Sequence, residues 1–290
     1  MINEQDLESA TGTRIETTFS VQALDLAGND RGHSILSFLD DARFIGDAAA
    51  NPSLSVLLVS PDLAEATGNA LRDGVSVIVV DDPRWHFYSL HNAIAERNPS
   101  DSAPTIVSPD ARVHPSAHVA PFGVRIEADA VIEANATILA SARIGVGAVI
   151  RAGAVIGTSG FEHKRTSRGV LSVVHDGETR IGTRAEVGSL TVVGRGFERR
   201  HTIVGADSRL DCNVMIAHGS QLGERVFVAA GAVLAGSTEI GDDVWIGPGA
   251  TLIDRVTVGA GARIGIGSVV FRPVDAGAQV LGNPARATTR

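Results

Sequence analysis

The 290-residue sequence predicts a mainly β protein, in which a parallel β-solenoid follows a small α/β domain. Three observations indicate the solenoid. An aliphatic residue recurs at every sixth position from Val204 to Val270, and a small or β-branched residue follows each of these anchors by four positions. Glycine is abundant, with 32 residues, whereas aromatic residues make up only 4% of the chain. A period of six fits no helix, but three sixes close one triangular coil that buries an aliphatic side chain on each side.

The start of the chain, residues 1–18, is polar and acidic. It has neither the apolar core of a signal peptide nor the basic character of a transit peptide, so a flexible terminus is expected. The formal charge of −8 argues against a general nucleic-acid-binding surface, and the single cysteine excludes an internal disulfide. Since no apolar run approaches the length of a membrane span, a cytoplasmic enzyme or binding protein is expected.

Residues 19–100 predict a small α/β domain. Residues 54–59 and 75–80 are short apolar runs of strand type, and residues 82–96 have a helical pattern that Asp81-Asp82-Pro83 opens. Residues 28–46 are interpreted as a loop followed by a helix. A polar link rich in Pro and Ser, residues 98–104, marks the boundary to the repeats.

The repeats occupy residues 101–290 and begin at Val107, with three sides to each of eight coils. Two insertions, residues 158–180 and 195–203, interrupt the period. Counting the sides places both insertions at the same corner, one coil apart, and places His218 one coil further along. Five residues that follow the anchors of this side are therefore expected to form one column: Thr158, Arg195, His218, Gly236 and Asp254. Long loops on a regular scaffold usually carry function, so the column predicts a site.

The chemistry expected of this column is acyl transfer. A neutral His218 would accept a proton from an attacking amine or hydroxyl, and the backbone N–H of Gly236 would stabilise the oxyanion. The alternative for His218 is a surface histidine on a solenoid face. The insertions supply candidate substrate-binding residues, which would look much the same in solvated loops: Phe161, Glu162, His163, Lys164, His175, Asp176, Arg195, Phe197 and His201. No second histidine stands five residues after His218, so no catalytic metal is predicted.

The residues resemble a known family, the hexapeptide-repeat acyltransferases, and within it the UDP-3-O-acylglucosamine N-acyltransferases of lipid A and lipopolysaccharide biosynthesis. The most specific match is Asn213-Val214-Met215-Ile216-Ala217-His218 followed by Leu234-Ala235-Gly236-Ser237. In the first domain, His33-Ser34-Ile35-Leu36-Ser37-Phe38-Leu39 is similar to the family's uridine-binding domain. The resemblance implies a left-handed β-helix, a homotrimer, His218 as the general base, Gly236 as the oxyanion donor and Asn213 at the substrate.

Three features depart from this family. Gly219 stands where the family has Asn or Asp, Arg255 stands where it has a second histidine, and the sequence ends at Arg290, where the family continues into a helix for acyl carrier protein. The segment 280–286 and Trp245-Ile246-Gly247-Pro248 resemble coenzyme A-dependent sugar acetyltransferases instead. This second resemblance implies that coenzyme A would meet the following residues: Trp245, Gly247, Arg255, Arg272, Asn283, Arg286 and Arg290.

The sequence therefore predicts an acyltransferase that moves an acyl group from a thioester to the amino group of a nucleotide-linked amino sugar. Acyl-coenzyme A is the favoured co-substrate, and no cofactor is expected to be bound permanently. One alternative is a lipid A-type N-acyltransferase that takes a long acyl chain from acyl carrier protein. The other is a non-catalytic scaffold that binds nucleotide sugars.

Overall fold

The computed structural model describes residues 1–97 and 102–287, which form two compact units. The first comprises residues 1–97 together with 162–174 from the first insertion, and the second comprises residues 102–161 and 175–287. Most of the predicted polar link, residues 98–101, and the C-terminal Arg290 lie outside the described residues.

The second unit is a left-handed parallel β-helix with three faces, as the sequence predicts. Within residues 102–287, sheets of eight, ten and eight strands form the first, second and third faces. The first face has the strands Ile106–Val107, Arg125–Ile126, Ala142–Ile144, Thr179–Ile181, Thr202–Val204, Gln221–Leu222, Glu239–Ile240 and Thr257–Val258. The second has Arg112–Val113, Val131–Ile132, Val149–Ile150, Glu186–Val187, Arg209–Leu210, Phe227–Val228, Trp245–Ile246, Arg263–Ile264, Gln279–Leu281 and the antiparallel Arg286–Ala287. The third has His118–Val119, Thr137–Ile138, Val155–Thr158, Val192–Gly194, Met215–Ile216, Val233–Leu234, Thr251–Leu252 and Val269–Val270.

The second residue of most strands is the aliphatic anchor of the sixfold period, and it points into the helix. Ile246, for example, pairs with Val228 in one neighbouring strand and with Ile264 in the other, and all three are buried in one continuous core. This ladder fixes the register, because a slip by one residue would expose every anchor.

Truncation of an anchor is expected to cost far more than truncation of an outward isoleucine. Ile246 is 0% exposed, whereas Ile266 is 68% exposed. Ile246→Ala should lower the free energy of unfolding by about 2–5 kcal/mol, because it leaves a cavity in the core. Ile266→Ala should change it by no more than about 0.5 kcal/mol. Urea titration of both variants measures the difference, and equal losses would contradict the inward assignment of the repeat.

Both insertions begin at the end of a strand of the third face. The strand Val155–Thr158 precedes the first insertion and Val192–Gly194 precedes the second, and the two strands pair in parallel. The first-face strands Thr179–Ile181 and Thr202–Val204 receive the returning chain. The excursions are therefore shorter than the predicted 158–180 and 195–203, because the ladder extends hydrogen bonds into both ends.

The first unit contains a parallel sheet with helices around it. Its strands run in sequential order: Ala23–Leu24, Ile35–Leu39, Leu54–Val59 and Ser76–Val79. Its helices are α1 Glu4–Thr11, the 3₁₀ turn Ala42–Phe44, α2 Ile45–Ala50, α3 Ala64–Ala70 and α4 Pro83–Ala95. An insertion hairpin, His163–Thr166 paired with Gly169–Ser172, packs with α4.

The interpretation of residues 28–46 as loop and helix was wrong in its middle. The run Ile35–Leu39 is a strand that pairs in parallel with Leu54–Val59, and four of its five side chains are buried. A run of five residues of which four are apolar suits a parallel strand covered on both sides.

The expectation of a flexible terminus over residues 1–18 was also wrong. Ile2–Asn3 pairs with Ser20–Val21, and α1 follows with a capping box formed by Asn3 and Asp6. The helix buries Leu7 and packs with α4, and Arg97 forms an ion pair with Asp6. The segment is held by strand pairing, by the helix cap, by the ion pair and by the buried side chains of Leu7 and Ile15, none of which its polar composition indicates.

No helix within residues 1–97 and 102–287 is both long and apolar enough to cross a lipid bilayer.

Candidate active site

His218 lies at the corner where the third face ends, with its imidazole between two glycines. A Cβ atom on Gly236, one coil along, would lie 2.5 Å from Cε1 and 2.7 Å from Nε2 of the ring. A Cβ atom on Gly160 would lie 2.9 Å from Cδ2 on another edge. The Nδ1 atom is buried. Only residues without side chains allow the backbone to approach the imidazole so closely on these edges.

Two aromatic rings from the insertions form a wall beside this imidazole. His175, at the end of the first insertion, stacks on Phe197 of the second with ring centroids 4.6 Å apart and planes 21° apart. Both rings meet His218 edge to face at centroid distances of 5.4 Å. The predicted convergence of two loops on His218 is thus present as direct ring contacts.

Hydrogen bonds join the two insertions next to this wall. The backbone N–H of Glu198 donates to the carboxylate of Asp176, and the backbone N–H of Gly177 donates to the carbonyl of Gly196. Arg195 spans the same region, donating to the carbonyl of Gly177 at 2.8 Å and to the hydroxyl of Ser141 at 3.1 Å. Through these contacts Asp176 and Arg195 link the two insertions, and their predicted role in substrate binding stays a prediction.

His201 lies further along the second insertion, where its Nδ1 accepts the backbone N–H of Glu178 at 3.1 Å. Burial, and then the charge of Arg180, lower the pKa of His201 below its usual value. Burial alone would raise the pKa of Glu178, but Arg180 and Arg143 outweigh it and lower that pKa. His201 is therefore a neutral acceptor for the backbone at neutral pH.

Arg200 belongs to the second insertion, where it could line a pocket or lie in a solvated loop, and its side chain holds the corner that carries His218. Its guanidinium donates to the carbonyl of Gly219 at 2.7 Å, to the carbonyl of Ser237 at 3.3 Å and to Glu239 at 3.1 Å. Gly219 has a φ of 67° and its open α-carbon faces the Arg200 stem, where a Cβ would come within 3.4 Å of Cδ. Gly219 stands where the resembled family has Asn or Asp. The absence of a side chain there is the signal in the sequence that a neighbouring side chain, here that of Arg200, fills the space.

The predicted column is present at His218 and Gly236 but is displaced at Thr158. The backbone N–H of Ser237 donates to the backbone carbonyl of His218, and the backbone N–H of Arg255 donates to that of Gly236. His218 and Gly236 are therefore in adjacent coils. Thr158, however, pairs with Gly194 because the ladder is irregular between Ile156 and Thr158. Gly157, with a φ of 88°, lies at this bulge.

Each of the remaining predicted substrate-binding residues has its own local surroundings. Glu162, His163 and Lys164 belong to the first unit, where Lys164 pairs with Glu162 and lies over the ring of Tyr88. Phe161 is 87% exposed. Asn213, with a φ of 56°, forms the corner before the strand Met215–Ile216, whereas His218 follows that strand, so the two lie at opposite ends of it.

The residues predicted to meet coenzyme A spread over the last coils. Trp245 is half-buried on the second face, beside Phe227, in an open groove of about 410 Å³. Gly247 is buried between coils, where a Cβ would lie 2.7 Å from the backbone of Ile266, so the position has no room for a side chain. The remaining residues are exposed, and they are Arg255, Arg272, Asn283 and Arg286.

Within the part of the chain that the structure describes, no three His, Cys, Asp or Glu side chains form a group that could hold a metal ion.

Comparisons with known proteins support the repeat assignment. The family model described as bacterial transferase hexapeptide (six repeats) matches residues 201–236 and 237–272. The UDP-3-O-acylglucosamine N-acyltransferase of Bordetella pertussis is 34% identical over an alignment of 253 residues, which covers 74% of this chain and 67% of that protein. The protein of the same name from Granulibacter bethesdensis is 52% identical over 131 residues, which cover 45% of this chain and 38% of that protein.

A solved structure shows the same fold. The UDP-N-acetylglucosamine O-acyltransferase of Moraxella catarrhalis superposes with a TM-score of 0.53 and 23% identity, covering 63% of this chain and 72% of that one. This similarity shows only that the two chains share the left-handed β-helix fold.

Proposed function

The chain belongs to the hexapeptide-repeat acyltransferases, in the family of the UDP-3-O-acylglucosamine N-acyltransferases, and we propose that it acylates the amino group of a nucleotide-linked amino sugar. The acyl group comes from a thioester, for which acyl-coenzyme A is favoured. The observation that carries this proposal is the imidazole of His218 held against the backbone of Gly236 where two insertions meet.

In the proposed reaction, the sugar amine attacks the thioester carbonyl and passes a proton to Nε2 of His218. Nε2 is the suitable nitrogen, because Nδ1 is buried and the Nε2 edge faces Gly236. The carbonyl oxygen becomes an oxyanion, which the N–H of Gly236 stabilises. None of the described residues accepts a hydrogen bond from this N–H. Collapse of the intermediate forms the amide and expels the thiolate, which takes the proton back from His218.

The remaining roles follow the same proposal. The insertions hold the sugar, the first unit holds the nucleotide, and the enzyme acts as a homotrimer. The motif around Trp245 and the segment 280–286 support coenzyme A as the carrier of the acyl group. The names of the Bordetella and Granulibacter relatives favour a second candidate, an N-acyltransferase of UDP-3-O-acylglucosamine that takes its acyl chain from acyl carrier protein.

A mass-spectrometric assay of the purified protein tests the proposal and separates the two candidates. UDP- and dTDP-linked amino sugars are combined with acyl-coenzyme A and with acyl carrier protein thioesters, each at several chain lengths. The expected result is one product with the mass of an amide, formed most rapidly from a coenzyme A thioester. Turnover with acyl carrier protein alone would favour the second candidate.

Binding without turnover would contradict both candidates. A rise in melting temperature with a nucleotide sugar, in the absence of product from any donor, would identify a non-catalytic scaffold, since a ligand of the native state stabilises it by mass action.

A further inference from the structure

The two ends of the first insertion meet beside His218. The chain leaves the third face after Thr158, and at Gly160 its backbone N–H donates to Nε2 of His175, 3.3 Å away, where the insertion returns. The intervening residues 162–174 belong to the first unit. The side chain of His175 thus joins the two ends of a long excursion, in addition to the backbone hydrogen bond from the N–H of Val173 to the carbonyl of Glu162.

His175 is suited to this closure by its burial and by its stacking. It is 4% exposed, and Phe197, on which it stacks, is 3% exposed. A ring nitrogen that accepts an N–H bond must carry a lone pair, so Nε2 is unprotonated and a neutral ring has its proton on Nδ1. The closure therefore presents an uncharged, flat surface to the imidazole of His218.

The closure also fixes how close Gly160 comes to His218. A Cβ on Gly160 would lie 3.1 Å from Nε2 of His175 and 2.9 Å from Cδ2 of His218. Gly160 is consequently wedged between the two histidines, opposite the side on which Gly236 approaches. If the bond from its N–H were lost, one of the walls around His218 would be free to move.

We propose that His175 is a positioning residue for His218: by accepting the Gly160 N–H and stacking on Phe197, it holds the imidazole in line with Gly236. This inference rests on the proposed function and assigns His175 a role other than the substrate contact expected from the sequence. Gly219 leaves no side chain at the position where the family has Asn or Asp, and the loop closure supplies orientation by packing instead.

Two variants separate the parts of this role. His175→Gln retains an acceptor for the Gly160 N–H but loses the ring, and His175→Phe retains the stacking on Phe197 but leaves the N–H without its acceptor. Both should lower kcat on the order of 10–100-fold, because small displacements of a catalytic group have effects of this size. KM for both substrates should stay within about twofold, since uniform binding is untouched. His118→Phe, at an exposed histidine of the first coil, is the matched control and should retain activity.

A second readout does not depend on turnover. In ¹⁵N-histidine NMR spectra, His175 of the unaltered protein should show the tautomer with its proton on Nδ1. The signals of His218 should shift in both variants and stay constant in His118→Phe. Unchanged His218 signals would overturn the proposal, as would a raised KM at constant kcat, which marks a substrate contact. If no acyl transfer occurs at all, the proposed function fails, and the NMR result still decides the positioning role.

Discussion

His218→Gln is expected to lower kcat for acyl transfer by about 10²–10⁴-fold, the usual contribution of a general base. Glutamine preserves polarity and approximate length but cannot accept a proton near neutral pH. The loss should appear in kcat and in kcat/KM alike, because the proton moves only in the transition state. Initial rates at saturating donor and acceptor measure it.

The control for this variant is His114→Gln. His114 is exposed in the first coil, where its Nδ1 lies 2.9 Å from the hydroxyl of Ser116. It should retain the rate of the unaltered protein. Full activity in His218→Gln would remove the assigned base, whatever substrate pair is used.

Gly236→Ala is expected to lower kcat by about 10²–10³-fold, comparable to the removal of one oxyanion donor. The new methyl group would lie 2.5 Å from Cε1 and 2.7 Å from Nε2 of His218, so either the imidazole or the N–H of residue 236 must move. The φ of Gly236 is outside the left-handed region, so the backbone accepts alanine and the effect is one of space.

Gly241→Ala distinguishes this effect from general overpacking. A Cβ there would lie 2.6 Å from the backbone nitrogen of Ala260, which is a comparably close contact at another corner of the β-helix, and its backbone is likewise outside the left-handed region. Both variants should lose stability by about 1–3 kcal/mol in urea titrations. Only Gly236→Ala should lose activity beyond its loss of folded protein, and parallel losses in the two would refute the special position of Gly236.

The interior of the β-helix was predictable because one physical rule repeats in every coil. Each anchor, such as Ile216 or Ile246, must fill the same narrow lumen, so the period appears directly in the sequence. The phase of that period also located the corner at which His218 and the two insertions meet. The aromatic wall was predictable as a convergence of loops, but not as a stack of His175 on Phe197, since loop conformations follow no period.

The errors have physical reasons as well. The helix of residues 4–11 was hidden because its stability comes from a capping box at Asn3 and one buried side chain, Leu7, in an otherwise polar segment. The placement of Asn213 at the substrate rests on the resemblance of the segment that it shares with His218, and it stays a prediction. A strand lies between the two residues and carries them to opposite corners.

The corner at which both insertions depart has one more property. The strands Val155–Thr158 and Val192–Gly194 are hydrogen-bonded to each other, and the backbone N–H of Arg195 donates to the carbonyl of Thr158 at 2.7 Å. The pairing of these strands therefore does not depend on the number of residues in the insertion between them. The entropic cost of closing a loop also grows only slowly with its length. The outer part of each insertion can therefore change in length, provided that Gly160, His175 and Phe197 keep their places beside the imidazole of His218. If the insertions hold the sugar, as proposed, such a change would alter which acceptor fits while the residues that transfer the proton stay where they are.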